Sequence, residues 1–297
     1  MGMQMKPAGA ALGERKLGIA MVLLATIVWA SAGLFVRLLP FDIWSIIVWR
    51  NAFAVVFVGG YLLLRLGGRT WSAIRNLGLP GALATAWSTA TIIFFPAAFQ
   101  HASVGNVVTI YASLPFVTAV IAWLWFRETP SVATLVAGGI ALLGIVIMVG
   151  PQASGPQLGD LLALLSTVSM ALLTLTIRRY STIEMLPVAL LSIIASGLLA
   201  IPYAGEIGAF APRDIMVAAG FALFPITLGM MLYVIGSVKI PSTLAALIQT
   251  LEAPFGVFWA WAGVGEVPPT ATMIGGALVL AGVFGRLIAD TRSQVRK

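Results

Sequence analysis

Two ionisable side chains, Arg50 and Glu252, interrupt runs that are otherwise almost wholly apolar. A charge inside such a run is costly unless a partner or a function requires it. Arg50 lies about seven residues into its run, roughly 10 Å from one end at helical rise. Glu252 lies about ten residues into its own, near the middle. Two roles are open to Arg50: a cation that attracts a carboxylate, or an arginine held by backbone carbonyls or snorkelling outward. Two are open to Glu252: a partner for an ammonium group or a coupling proton, since burial favours the neutral acid, or a structural carboxylate bonded to Arg50 or a helix end.

Around these charges the polar residues have a pattern. Trp87, Thr91, Phe95 and Phe99 recur every fourth residue with Ser88 beside them, one helical stripe of aromatic and hydroxyl groups. Lipid-facing stripes are usually Leu, Ile and Val, so this mixture points to a cavity wall or a helix–helix contact. Asn106, Thr109, Tyr111 and Ser113 carry similar material on the next segment. Gln249 with Thr250 and Trp29 with Ser31 supply it elsewhere, and Tyr233 is a weaker candidate. Together they describe a pocket of π faces, hydroxyls and amides with few fixed charges. It suits zwitterions with apolar or aromatic side chains, and suits phosphorylated sugars badly, since these demand several Lys or Arg. Glu128 and Glu266, each in a Glu-x-Pro context, read as helix caps or loop anchors.

Other chemistry is excluded or unsupported. The 297-residue chain has no cysteine, so disulfides and thiolate sites are out. Its single histidine, His101, reads as a loop residue beside Gln100, and no nucleophile, base or metal constellation accompanies it. No cofactor is expected, and no glycine-rich phosphate loop precedes a helix. An intramembrane enzyme is therefore the lesser alternative.

The elements that position these residues follow from composition. The chain is 60% hydrophobic and 9% charged with mean hydropathy +1.03. A soluble domain carries about 25% charged residues, so lipid, not water, must solvate most of this surface. The net charge of +7 belongs to orienting loops rather than to nucleic-acid binding. Segments 17–36, 43–64, 77–99, 104–126, 132–149, 158–177, 185–203, 214–235, 242–264 and 270–288 are each long and apolar enough to cross a bilayer. The expected architecture is an all-α integral membrane protein of ten transmembrane helices. Residues 1–16 and 289–297 are its expected cytoplasmic tails, and the first apolar run is a span rather than a cleaved signal.

The basic residues orient it. Lys6, Arg15, Lys16, Arg65, Arg69, Arg75, Arg127, Arg178, Arg179, Lys239, Arg286, Arg292, Arg296 and Lys297 fall on one side, and only Arg37 and Arg213 on the other. Both termini are accordingly expected in the cytoplasm, with the chain in the plasma (inner) membrane.

The halves 17–149 and 158–288 resemble one another. Leu17-Gly18 through Arg37 matches Leu158-Gly159 through Arg178 at an offset of 141. Pro115, Arg127-Glu128-Thr129-Pro130, Gly138-Gly139 and Gly144 are echoed by Pro254, Gly265-Glu266-Val267-Pro268, Gly275-Gly276 and Gly282 at offsets of 137 to 139. Five helices per half is an odd number, so the second copy enters the membrane in the opposite sense. Such inverted repeats serve alternating access to a midplane site. Pro96, Pro115, Pro225 and Pro254 lie within helices and are the expected hinges, Pro115 and Pro254 as a repeat-related pair. The glycines on the fifth and tenth helices read as close-packing scaffold.

The run from Ala97-Ala98-Phe99 through Ser103-Val104-Gly105-Asn106 to Leu114-Pro115 and Arg127-Glu128 has a second copy in Leu251-Glu252-Ala253-Pro254, Gly265-Glu266 and Gly275 to Gly282. It resembles the EamA-type branch of the drug/metabolite transporter superfamily over residues 17 to 288. The resemblance implies a ten-helix, basket-like exporter of amino acids or related small metabolites, with the bacterial aromatic amino-acid exporters as the nearer likeness. A proton-coupled multidrug or metabolite exporter is the alternative. The partners expected are a small-molecule substrate and the bilayer, with a monomer sufficient to enclose the pathway.

Overall fold

The structure is a computed structural model that describes residues 8–102, 107, 110–127, 131–149, 158–205, 211–265 and 267–295. Among the described residues all regular structure is helical. Eight helical stretches are long and apolar enough to span a bilayer, and two shorter apolar helices, Leu114–Phe126 and Val132–Met148, complete the ten. Glu128, Glu266, Asn106 and Thr109 lie outside the described residues, as does the side chain of Phe99.

The first span is α1 (Ala8–Ala30) and α2 (Ala32–Leu38), which meet at a turn on Ser31. The helix thus begins at Ala8, ahead of the apolar run. The second span is α3 (Ile43–Leu66), followed by the short α4 (Thr70–Arg75), and the third is α5 (Gly78–His101). The fourth contains α6 (Leu114–Phe126), the fifth is α7 (Val132–Val149), the sixth α8 (Leu158–Arg179) and the seventh α9 (Leu186–Ala200). The eighth runs as α10 (Pro212–Phe221), a π-helical stretch Ala222–Gly229, and α11 (Met230–Ser237). The ninth is split into α12 (Ser242–Gln249) and α13 (Glu252–Val264), and α14 (Thr270–Val295) is the tenth.

Local chemistry sets several of these ends. Asp42 caps α3, its carboxylate accepting from the backbone N–H groups of Trp44 at 2.9 Å and Ser45 at 3.0 Å. Gly67, at φ +54°, closes that helix. The repeat is visible in the caps. α6 and α13 are both 13 residues long, and each ends on a left-handed residue, Arg127 at φ 59° and Gly265 at φ 73°.

The packing repeats as well. The first span lies against the eighth as the sixth lies against the third; the third meets the seventh as the eighth meets the second; α13 leans on the first span as α6 leans on the sixth. Each of these pairs becomes the other when every span is exchanged with the one five later. The second and seventh spans, and the fifth and tenth, pair with their own counterparts. A single pseudo-two-fold axis relates the halves, as five-helix inverted repeats require. At the α7–α14 crossing, a Cβ on Gly144 or Gly275 would run into the other's carbonyl oxygen, and one on Gly282 would meet the Ala137 oxygen at 2.9 Å. The glycines therefore permit a backbone-to-backbone contact.

Large apolar side chains cover the outside, among them Leu64, Val56, Leu198, Met216 and Met273, as lipid solvation demands. An apolar groove of about 720 Å³ between α5 and α9, lined by Ala82, Ala86, Ala90, Phe94 and Ala195 among others, is part of that outer surface and lies apart from the polar cluster at the helix breaks.

Candidate functional site

The polar residues gather where helices break. In the fourth span the backbone turns at Ser113, whose N–H bonds the Ile110 oxygen three residues back. In the ninth it turns at Thr250 and Leu251, which bond Leu247 and Ile248 in the same way. Ser113 and Glu252 are repeat-related, so the two breaks are the same feature in the two halves. Pro115 and Pro254 follow them within the first turn of α6 and α13, where a missing N–H costs least. Glu252 is in the first turn of α13, and a carboxylate there is favoured by the helix dipole.

Tyr233 of α11 is the hub. Its ring lies 5.0 Å from that of Trp29, tilted 42°. Its hydroxyl pairs with that of Thr174 on α8 and accepts from Nε2 of Gln249 at 3.1 Å. Gln249 is 1% exposed, and its Oε1 is buried with no partner among the described residues. Swapping the amide's two ends moves the deficit without removing it. Tyr111 lies within electrostatic reach of both Glu252 and Tyr233, and its ring is 4.8 Å from that of Phe95. Three expected residues, Trp29, Tyr111 and Gln249, thus gather around Tyr233, and Phe95 and Glu252 join the group through Tyr111. Thr174 was not anticipated. A hydroxyl in an apolar span is common, and only the fold shows that this one faces a tyrosine.

The other expected residues divide. Trp87 is half-buried against the main core, Ser88 is buried, and Thr91 donates to the Trp87 oxygen at 3.0 Å. The hydroxyls of Ser31 and Thr250 likewise donate to their own helices, at Val28 (2.6 Å) and Leu247 (2.7 Å). Pro96 sits inside an unbroken α5. Pro225 lies in the π stretch, where the Thr227 hydroxyl takes the Ala222 oxygen at 2.7 Å.

Arg50 stands apart from this cluster. Its Cζ lies 5.0 Å from the centroid of Phe221, which is itself stacked on Phe35 at 5.4 Å. The Arg50 Nε is buried without a partner, and no ion pair joins Arg50 to Glu252 among the described residues. A cation over a ring face is stabilised by the quadrupole and keeps its charge available.

The two halves of the ninth span differ in burial. On the side bearing Arg178 and Arg179, α12 is buried along most of its length and packs on α6, α7 and α8. There Arg178 donates to Ser242 at 3.3 Å, and Arg178 and Arg179 lie over the rings of Phe126 and Trp125. On the opposite side α13 has no buried residue. The ninth span is therefore buried along α12 and more exposed along α13.

Chemically the cluster offers one carboxylate, one unfilled amide valence, two phenols and an indole. Among the described residues no three His, Asp or Glu side chains gather as metal ligands. The arrangement can hold a donor-rich or cationic group beside aromatic faces.

Comparison with known proteins agrees with this architecture. No curated protein matches the chain. A solved structure described only as the crystal structure of a protein shares its fold, with a TM-score of 0.80 at 15% identity, covering 94% of this chain and 99% of that one. Residues 16–150 and 157–288 each match the EamA-like transporter family, one match per repeat. With a family match over both five-helix halves, the chain belongs to the EamA-like transporter family and is a multi-pass membrane transporter of the drug/metabolite type.

Proposed function

We propose that this transporter exports amino acids, aromatic or other neutral ones favoured, or related small metabolites, by alternating access through the cavity between its repeats. The observation that carries the reading is Glu252. It sits at the break of the ninth span, without an ion-pair partner among the described residues, beside the aromatic cluster of Tyr111, Tyr233 and Trp29. A substrate ammonium satisfies the carboxylate, and the rings accept an apolar side chain. Arg50, over Phe221, offers a cation for a carboxylate nearer the end of the second span that begins at Asp42. The basic side of the chain is the cytoplasmic side, which makes the buried α12 the inner half of the ninth span.

The direct experiment is flux of labelled amino acids in liposomes containing only this protein. Concentration-dependent, saturable flux of aromatic or neutral amino acids is expected. If no amino acid or common metabolite moves, the exporter reading fails. A second reading, proton-coupled export of apolar cations, is favoured by the same isolated carboxylate. It predicts movement of such cations driven by a pH gradient, with no competition from amino acids.

A further inference from the structure

Trp29 meets Tyr233 because of the residue one turn before the tyrosine. Gly229 and Tyr233 are four apart on the eighth span and share a face. A Cβ placed on Gly229 would lie 2.6 Å from both Cδ1 and Nε1 of Trp29, with Cε2 next at 3.4 Å. The indole therefore rests on bare backbone at Gly229 and against the Tyr233 ring, 5.0 Å away.

The main chain around this contact is held. The first and eighth spans close on one another at Gly18 and Gly236. A Cβ on Gly18 would lie 3.0 Å from the Gly236 oxygen, and one on Gly236 would lie 3.1 Å from the Gly18 oxygen. On the other side, α13 holds α1 beside Trp29. The Ser31 N–H and hydroxyl both turn to the Val28 oxygen, at 3.2 and 2.6 Å, and the indole N–H of Trp259 donates to the Ile27 oxygen at 3.0 Å. Tyr233 is fully buried, with its hydroxyl engaged by Thr174 and Gln249. Trp29 is only half-buried, so its ring is the part free to move.

We infer that Gly229 is a specificity-determining residue: by leaving room beneath Trp29, it sets how far the indole projects into the aromatic cluster and so how large a substrate side chain fits there. An added Cβ would displace the ring by about 0.8 Å, the difference between 2.6 Å and the 3.4 Å at which ordinary contact begins. Tyr233 bars one direction, so the indole moves off the eighth span and into the space for substrate. A misfit of one methylene in an apolar pocket is worth roughly ten- to two-hundred-fold in discrimination. The other half does not duplicate the device, since the counterpart of Trp29 at the offset of 141 is Met170, 4% exposed on an unbroken helix. The inference rests on the proposed amino-acid site and names what limits its size.

The probes are labelled alanine and tryptophan, with liposomes containing only this protein. Gly229→Ala should raise the half-saturating concentration for tryptophan about tenfold relative to that for alanine, with maximal alanine flux retained. In a Trp29→Ala background the same Cβ meets no ring and should leave the ratio unchanged. Trp29→Phe, a smaller ring on the intact glycine, should move the ratio the opposite way, and it serves if Gly229→Ala does not fold. Thermal unfolding reads the contact without flux. Gly229→Ala should lower the midpoint with Trp29 present and raise it in the Trp29→Ala background, since alanine is the better helix former. Equal midpoint shifts in both backgrounds, a uniform loss for both amino acids, or a Trp29→Phe ratio that moves against tryptophan overturns the inference. If neither amino acid moves, the exporter reading fails, while the paired midpoints still show whether Trp29 rests on Gly229.

Discussion

The side-chain amide of Asn51, on the second span, donates to the hydroxyl of Ser196 on the seventh at 2.9 Å and to the Ile193 oxygen at 3.0 Å. All three lie where the repeats pair with their own counterparts. The same helix pair is tied at both ends, by Arg65 with Glu184 at 3.4 Å and by Asp42 accepting from the Gly205 N–H at 3.3 Å. Asn51 is 2% exposed, so its loss strands buried partners. Asn51→Ala should lower unfolding stability by about 1–3 kcal/mol, measured by thermal unfolding in detergent. Combining it with Ser196→Ala should add less than the two changes separately.

Asp42 gives the pair a pH dependence. Burial works against its charge, but the Ser45 hydroxyl and the backbone N–H groups of Ser45, Gly205 and Trp44 outweigh that and hold its pKa below the ordinary carboxylate value. The folded pKa is depressed, so the stabilisation is present above the unfolded value of about 3.9 and is lost as pH falls through the folded one. The parent protein should lose thermal stability below about pH 4, and Asp42→Asn should do so less. Parallel acid profiles for the two would contradict this role.

Arg127 holds φ 59° where its counterpart Gly265 holds φ 73°. A side chain in the left-handed region costs roughly 1 kcal/mol or more. Arg127→Gly should raise the unfolding midpoint, while Gly265→Val should lower it and leave less folded protein by size-exclusion chromatography.

What was legible in the sequence, and what was not, divides along physical lines. Apolar runs and the offset of 137 to 139 are properties of many residues together, so ten spans in inverted halves survive local irregularity. Breaks depend on single hydrogen bonds. Pro96 promised a hinge and sits in continuous helix, whereas Ser31 breaks its span because its hydroxyl and N–H share one carbonyl and Trp259 takes the other. Residue types marked out Tyr111, Gln249 and Glu252, and Tyr233 more weakly, yet hid that Tyr233 is the hub and that Thr174 completes the set. Asn51 had a signal, an amide in an apolar run, which its neighbour Arg50 overshadowed.

Tyr233→Phe removes the hydroxyl shared by Thr174 and Gln249. With Oε1 of the Gln249 amide already unpaired, the substitution leaves its Nε2 only the longer bond to the Ala245 oxygen at 3.5 Å. Substrate half-saturation should rise about tenfold, the cost of one buried hydrogen bond of about 1.4 kcal/mol, with folding retained. Glu252→Gln should abolish acceleration of flux by a pH gradient while leaving downhill exchange measurable; coupling that survives makes Glu252 structural.

Alternating access through the breaks of the fourth and ninth spans is tested most directly by side-specific labelling of Ser113→Cys in this otherwise cysteine-free chain. A membrane-impermeant thiol reagent should modify it from either face of sealed, sidedness-sorted vesicles, more slowly from the side of the buried α12, and a transported amino acid should slow both reactions. Modification from one face alone, unaffected by substrate, would contradict a single site exposed to each side in turn.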